Sequence, residues 1–119
     1  WTVIDGFKVQ SVTGGGHSGA GIFISAEDMA RFGLLFLNQG NWNGTQLLSE
    51  EWIREATTPS KPNPNYGYMW WLNLPGERQW GGVPETVYYA AGFGGNFIVV
   101  APEEGLVMVL RWLEPSDIG

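Results

Sequence analysis

Two apolar runs meet at a cluster of glycines late in the chain, and this junction constrains the fold more than any other stretch. The run Tyr88–Val100 reads YYAAGFGGNFIVV, with glycine at positions 92, 94 and 95. Interior glycine weakens a strand, so the cluster marks either a turn or a place where another molecule approaches the backbone. The strands predicted here are Thr86–Ala91, Asn96–Ala101 and Leu106–Trp112. Pro102–Gly105 is a tight turn, which makes the last two strands antiparallel neighbours.

Two helices are predicted before these strands. Ser25–Gly40 reads SAEDMARFGLLFLNQG, in which Ser25 is the N-cap, acidic residues fill the first turn and Gly40 ends the helix. Gly33 falls on its apolar stripe, where it would let a neighbouring element come close. A shorter helix is predicted from the Ser49 cap to about Thr57, before Pro59.

The remaining segments are a strand and several connections. Asp-Gly within Thr2–Val9 predicts a hairpin, and Tyr66–Leu72 predicts a strand. Gly14–Gly21 is a glycine-rich loop, and Pro59–Asn65 and Pro75–Glu85 are polar connections. Helices followed by an antiparallel meander indicate an α+β fold, with an antiparallel sheet flanked by helices.

Composition excludes several classes of function. The formal net charge is -6 and the six basic residues are scattered, so no basic stripe is available for nucleic acid. No apolar run approaches the ~20 residues that span a bilayer. The chain contains no cysteine, which excludes disulfides and thiolate chemistry. We therefore predict neither a nucleic-acid partner nor a membrane span.

No complete catalytic or metal site can be assembled from these residues. His17 is the only histidine, which excludes a multi-histidine metal site, and we interpret it as a structural hydrogen-bonding residue. The adjacent acidic pairs belong to the first turns of the two helices and to one hairpin tip, so they do not indicate a glycosidase. We predict no metal and no cofactor.

Two blocks of the sequence carry a resemblance to a known family. The first is SAEDMARFGLLFLNQGNWNGTQLLSEEWIREATTP, and the second is AAGFGGNFIVVAPEEGLVMVLRW. The first resembles the segment that follows the Tyr-x-Asn motif of the serine β-lactamase-like hydrolases, which include class C β-lactamases, penicillin-binding D,D-peptidases and related esterases and amide hydrolases. The second resembles the strand–turn–strand unit with their third motif, Lys-Thr-Gly or His-Thr-Gly. The resemblance runs from about Ile4 to Trp112 and implies the C-terminal part of that fold.

The resemblance also implies a set of site residues. Ala90, Ala91 and Gly92 occupy the third motif and line the substrate site, and the backbone N–H of Phe93 helps to hold the developing oxyanion. Gly92 is then needed because substrate lies against bare backbone, although a glycine-rich hairpin without substrate remains the alternative. Ala90 replaces the Lys or His of better-known members, which favours an ester or amide hydrolase over a true β-lactamase.

The family's nucleophile is not among the 119 residues, because neither Ser-x-x-Lys nor Tyr-x-Asn occurs. We therefore expect residues 1–119 to be a partial domain that lacks the N-terminal part and a C-terminal helix. Pro115-Ser116-Asp117 resembles the start of that helix. The expected partners are the missing N-terminal part of the same enzyme, a second copy of this chain, and a small ester or amide substrate. The chain alone is expected to be inactive, and the resemblance implies a periplasmic or extracellular location.

Two other classes of function stay open. Trp42, Trp70, Trp71 and Trp80 would serve a noncatalytic module that binds sugar or peptidoglycan. A structural domain that pairs through its sheet edge is the second alternative.

Overall fold

A computed structural model describes residues 2–4, 7–9, 11–13, 20–75 and 80–114, with side chains from Phe23 onward. Its helices are α1 (Ala26–Leu37) and α2 (Glu50–Ala56). Its strands are β1 (Thr2–Ile4), β2 (Phe7–Val9), β3 (Ser11–Thr13), β4 (Ala20–Ile22), β5 (Asn41–Trp42), β6 (Thr45–Gln46), β7 (Trp71–Leu72), β8 (Tyr88–Gly92), β9 (Asn96–Ala101) and β10 (Leu106–Leu110).

A four-stranded antiparallel sheet in the order β10-β9-β8-β7 is the centre of the fold. The turn between β9 and β10 forms as predicted, with Gly105 at a φ of 60° and its N–H donating to the carbonyl of Pro102. Helix α1 packs across β9 and β10. Gly33 lies at this contact, and a Cβ there would come within 2.6 Å of Val107 Cγ1. The predicted role of Gly33 and the predicted α+β class are both confirmed.

Apolar side chains cover both faces of the sheet. The cluster on the helix side contains Phe36, Ile53, Ala56, Trp70, Leu72, Tyr88 and Val100. The cluster on the opposite face contains Val87, Tyr89, Phe97, Val99 and Ala101, with Trp80 and Leu110 packed against it. Successive strand residues point to opposite faces, which is why Tyr88 and Tyr89 belong to different clusters. Buried Asn73 donates Nδ2 hydrogens to the carbonyls of Val83 and Pro84 and so holds the loop that borders the second cluster.

Both helices begin where their capping residues predict. The Ser25 hydroxyl accepts a hydrogen bond from Asp28 N, and the Ser49 hydroxyl accepts one from Trp52 N, each at 3.1 Å. The Arg31 guanidinium and the Ser25 hydroxyl hold the pKa of Asp28 below its usual value. These contacts are local in sequence, so the sequence could predict them. Neither helix of the described chain has the length and apolar character that crossing a bilayer requires.

The predicted strand Tyr66–Leu72 is wrong over most of its length. Only Trp71 and Leu72 form β7, while Tyr66 makes an isolated bridge to Trp71. Met69 has a φ of 70°, and Tyr68 N donates to the carbonyl of Ala56 at the end of α2. The segment therefore hydrogen-bonds the end of α2 and buries Trp70, so it does not continue the strand.

Smaller differences concern strand ends and turns. β8 is Tyr88–Gly92 where Thr86–Ala91 was predicted, and β10 ends at Leu110 where Trp112 was predicted. β5 and β6 form a hairpin whose turn consists of Asn43 and Gly44, both at positive φ.

Near the start of the chain, β1 pairs antiparallel with β2, which confirms the hairpin predicted for Thr2–Val9. The predicted loop Gly14–Gly21 ends in β4, which pairs with β3. Most of that loop, including His17, lies outside the described residues, as do the Asp5-Gly6 turn and part of Pro75–Glu85. The helix start predicted at Pro115-Ser116-Asp117 also lies outside them.

Candidate functional site

Strand β8 extends beyond the end of its neighbour β7. The pairing of the two strands consists of Trp71 with Tyr89 and Leu72 with Tyr88. On its other side β8 pairs with β9 along its whole length, as far as Gly92 with Asn96. The stretch from Ala90 to Gly92 therefore has a strand on one side only within the described chain.

The strand pairing shows which edge of β8 each backbone N–H and C=O group faces. Val87 O accepts a hydrogen bond from Asn73 N on the β7 side, whereas Leu72 N donates away from β8 to Asn65 O. Backbone groups of successive strand residues point to opposite edges, so Tyr89 and Ala91 direct theirs toward the β7 side. The backbone groups of Ala91 point into the space beyond β7, because Met69 and Trp70, which would continue β7 there, have left the sheet. A strand-like ligand could pair with the backbone here.

The predicted site residues lie together at this edge. Ala90 is half-buried against the helix-side cluster, while Ala91 and Gly92 are exposed. Phe93 is the first residue of the turn to β9, and its side chain is 93% exposed. A Cβ placed on Gly92 would meet no atom closer than 3.8 Å, so the backbone at Gly92 is open on its side-chain face. The four residues are consecutive in the chain and run from the end of β8 into the turn.

The turn after Gly92 is supported by the segment that follows β10. Gly94 and Gly95 have φ values of 81° and 69°, which a residue with a Cβ adopts only with strain. The exposed Trp112 ring lies against Gly94, where a Cβ would come within 3.0 Å of it. Leu113 N donates to Gly95 O at 3.2 Å, and the Leu113 backbone leaves no room for a Cβ on Gly95. These two glycines therefore serve the turn itself.

Two polar side chains connect this turn to the rest of the fold. Asn96 Nδ2 donates to the carbonyl of Phe93 at 2.8 Å. Arg111 Nε donates to Asn96 Oδ1 at 3.4 Å, and Arg111 Nη1 donates to Ile24 O at 3.0 Å, just before α1. Sequence reasoning missed both residues. The position of Asn96 directly after two glycines is a signal for a side chain that bonds the turn, but nothing local indicates Arg111.

Neither a metal site nor a shared surface of four tryptophans is found among the described residues. No group of three acidic or histidine side chains that could hold a metal ion occurs among them. Of the four tryptophans that a sugar-binding module would use, Trp70 is 2% exposed in the core and Trp80 stacks on Tyr89 with ring centroids 4.4 Å apart. Trp42 and Trp71 are each only about one-third exposed. The four rings do not form a common exposed surface.

A family model and several known proteins match this chain. A sequence model of the family described as Beta-lactamase matches residues 4–112. The chain is 29% identical, over 80% of its length, to "N-acetylmuramyl-L-alanine amidase" of Bacillus subtilis, and it covers 22% of that protein. It is 28% identical, over 98% of its length, to "Putative D-alanyl-D-alanine carboxypeptidase" of Escherichia coli O157:H7, and it covers 28% of that protein.

A solved structure gives the same result for the fold. "Putative 6-aminohexanoate-dimer hydrolase from Bacillus anthracis" superposes with a TM-score of 0.60 at 27% identity, over 80% of this chain and 24% of that one. The chain thus spans less than a third of the length of each of these relatives. Because the family match extends over nearly all of the 119 residues, the chain belongs to the beta-lactamase family.

Proposed function

We propose that this chain forms one wall of the active site of a serine hydrolase that acts on ester or amide bonds through an acyl-enzyme. The observation that carries the proposal is the open stretch of β8 from Ala90 to Gly92, which leads directly into Phe93. An extended substrate could lie along this edge and pair with the backbone of Ala91. Family membership and the names of the relatives, which are those of an amidase, a carboxypeptidase and a hydrolase, support a hydrolytic reaction.

The proposed reaction divides the work between this wall and a serine in another part of the protein. The serine oxygen attacks the substrate carbonyl, and its proton passes through a general base to the leaving alcohol or amine. The Phe93 N–H is one of two donors that stabilise negative charge on the carbonyl oxygen, and such a donor typically contributes a factor of about 10²–10³ in rate. Water then hydrolyses the acyl-enzyme and releases the acid. In this scheme the chain binds and orients the substrate, and it does not supply the nucleophile.

Ala90 bears on the substrate class. A methyl group can neither carry a positive charge nor donate a hydrogen bond, so the site lacks at this position a partner for a carboxylate of the substrate. We propose that the preferred substrate is an ester or amide without a carboxylate at that point. Faster acylation by a neutral p-nitrophenyl ester than by the anionic β-lactam nitrocefin would support this preference, and the reverse order would contradict it.

The remainder of the same enzyme is the proposed partner of this chain. In the part of the chain that the structure describes, β10 is an edge strand of the sheet, and its Leu106 and Met108 are 50% and 42% exposed. Apolar side chains beside an unpaired edge favour association with another protein surface. If the 119-residue chain is made alone, self-association through this edge is the competing outcome, and light scattering against concentration would reveal it.

The deciding experiment compares the full-length gene product with the 119-residue chain on a p-nitrophenyl ester. The full-length protein should give a burst of p-nitrophenol followed by steady turnover, and mass spectrometry should find the acyl group on a serine outside these residues. The chain alone should be inactive. Activity that copurifies with the chain alone, or acylation at any residue of it, would contradict the proposal.

A further inference from the structure

The turn that presents Phe93 is built from residues with the greatest backbone freedom. Glycine occupies positions 92, 94 and 95, and glycine samples more backbone conformations than any other residue. A catalytic hydrogen-bond donor must nevertheless be held to within about half an ångström of its working position. Some contact outside the glycines must therefore fix this turn.

The Asn96 side chain contacts the Phe93 peptide from the start of β9. Its Nδ2 donates to Phe93 O at 2.8 Å, a good hydrogen-bond distance, from the first residue of β9. Asn96 is half-buried and its backbone pairs with Gly92, so the side chain starts from a fixed point of the sheet. A bond to the Phe93 carbonyl restricts rotation of the chain on either side of Phe93.

Arg111 determines which way the Asn96 amide faces. An amide can present either its oxygen or its nitrogen to a neighbour, but a guanidinium has only donors. The Arg111 Nε donor therefore places Oδ1 on its own side and leaves Nδ2 for Phe93 O. At 3.4 Å the Arg111 contact is long, so it selects the orientation of the amide more than it adds stability. Arg111 is itself held by Ile24 O at 3.0 Å, which ties the network to the start of α1.

We propose that Asn96, oriented by Arg111, is a positioning residue that fixes the Phe93 peptide for oxyanion stabilisation. The inference rests on the proposed function, since it gives Asn96 a role only if Phe93 acts in catalysis. Asn96 does not contact substrate in this scheme. Its loss should therefore slow the chemical step while leaving substrate binding nearly unchanged.

Asn96→Asp in the full-length protein is the sharpest test, because the carboxylate keeps the shape of the side chain and still accepts from Arg111 but cannot donate to Phe93 O. We expect kcat to fall by about ten- to a hundredfold, as for a small misplacement of a catalytic group, with KM changed less than about threefold. Hydrogen exchange at the amides of residues 93–95 should accelerate by about three- to tenfold, which corresponds to the loss of one ordinary hydrogen bond.

Asn41→Asp is the matched control. Asn41 is also next to a glycine-containing hairpin turn, where its Oδ1 accepts from Gly44 N at 3.0 Å, and the substitution adds the same charge away from β8. It should leave kcat unchanged. Arg111→Lys is the second variant, because one ammonium cannot reproduce the fork that serves Asn96 and Ile24 together; it should lower kcat in the same direction by a smaller factor.

The outcomes separate the two proposals. If the wild-type protein turns over ester and Asn96→Asp behaves like Asn41→Asp, the positioning role is wrong and the proposed function stands. Faster exchange without a loss of kcat also overturns the positioning role. If Asn96→Asp fails to fold, an unchanged kcat in Arg111→Lys overturns it. If the wild-type protein acylates no serine, the proposed function fails and the inference fails with it.

Discussion

Gly33 of α1 and Val107 of β10 lie so close that a single added carbon would collide with the valine. A Cβ on Gly33 would come within 2.6 Å of Val107 Cγ1 and within 2.9 Å of Ile98 Cγ2. Both neighbours are β-branched side chains with little rotamer freedom. The distance between the helix and the sheet is therefore set by the absence of a side chain at Gly33.

Gly33→Ala should destabilise the protein even though alanine is the better helix former. The gain in helix propensity is about 1 kcal/mol, whereas overpacking a close contact typically costs about 1–3 kcal/mol. We expect a net loss of about 1 kcal/mol in the free energy of unfolding, measured by urea denaturation. In a Val107→Ala background the same substitution should cost less, because one of the two collisions is removed. A stabilising effect of Gly33→Ala in the wild-type background would contradict the close contact.

Gly40 and Gly44 form a matched pair for separating backbone strain from steric collision. Their φ values are 82° and 85°, so an alanine at either position bears a left-handed conformation that costs about 1–2 kcal/mol. A Cβ on Gly44 meets nothing within 4 Å, whereas a Cβ on Gly40 would collide with the carbonyl of Leu48. Gly40 O also accepts hydrogen bonds from Leu47 N and Leu48 N, so this backbone cannot shift without losing them.

Gly44→Ala should therefore lower the free energy of unfolding by about 1–2 kcal/mol, and Gly40→Ala should lower it by at least about 2 kcal/mol more. Thermal or urea unfolding of both variants against the wild type measures the difference. Equal losses would show that the contact between Gly40 and Leu48 relaxes freely.

The burial of Tyr88 makes the free energy of unfolding depend on pH in the alkaline range. Burial raises the pKa of Tyr88 from 10.0 to about 12, and burial also raises the pKa of Tyr89. The folded protein therefore keeps the Tyr88 proton while the unfolded chain releases it above pH ~10, so the unfolded state binds fewer protons between pH ~10 and ~12. The stabilisation is fully present below pH ~10 and is lost progressively as the pH rises through this window.

The free energy of unfolding should accordingly fall between pH ~10 and ~12, and Tyr88→Phe should make that decline shallower. Urea denaturation at several pH values measures the slope, and tyrosinate absorbance follows ionisation directly. Tyr68→Phe is the control for removing a hydroxyl group, because Tyr68 is exposed at the surface. An identical slope for wild type and Tyr88→Phe would contradict the burial of Tyr88.

The parts of the fold that sequence could predict are those determined by neighbouring residues. The N-caps at Ser25 and Ser49 and the glycine turn at Gly105 depend on contacts within three or four positions, and each is found as predicted. The strand predicted at Tyr66–Leu72 fails because Trp70 packs between Phe36 and Tyr88, at ring-centroid distances of 4.7 and 5.1 Å. That packing turns the chain at Met69, and it depends on partners far away in sequence.

The candidate site also combines features that neighbouring residues determine with features that depend on residues far away in sequence. The glycine interruption after β8 could be located from sequence, and the resemblance named the four residues from Ala90 to Phe93. The open edge beside Ala91 depends on where β7 begins, and the start predicted at Tyr66 is wrong. The contact of Arg111 with Asn96 joins residues 15 positions apart, with no local pattern that would indicate it.

Gly92 offers the clearest separation of function from stability. Its backbone pairs with Asn96, and a Cβ at this position would make only ordinary contacts at 3.8 Å, with no left-handed φ to strain it. A valine is also favoured in strands by its β-branched shape. Gly92→Val should therefore change the free energy of unfolding by less than about 1 kcal/mol.

The effect on catalysis should be much larger if substrate lies against this backbone. In the full-length enzyme, Gly92→Val would fill the space that a bound ester occupies beside Phe93, and we expect kcat/KM to fall by about a hundredfold or more. Gly81→Val is the matched control, because Gly81 lies in an exposed loop where a Cβ meets nothing within 4 Å. Steady-state kinetics on a p-nitrophenyl ester, together with urea unfolding of both variants, measures the two effects separately. Equal kcat/KM values for Gly92→Val and Gly81→Val would show that substrate does not approach β8 at Gly92, and the wall would have to be assigned elsewhere.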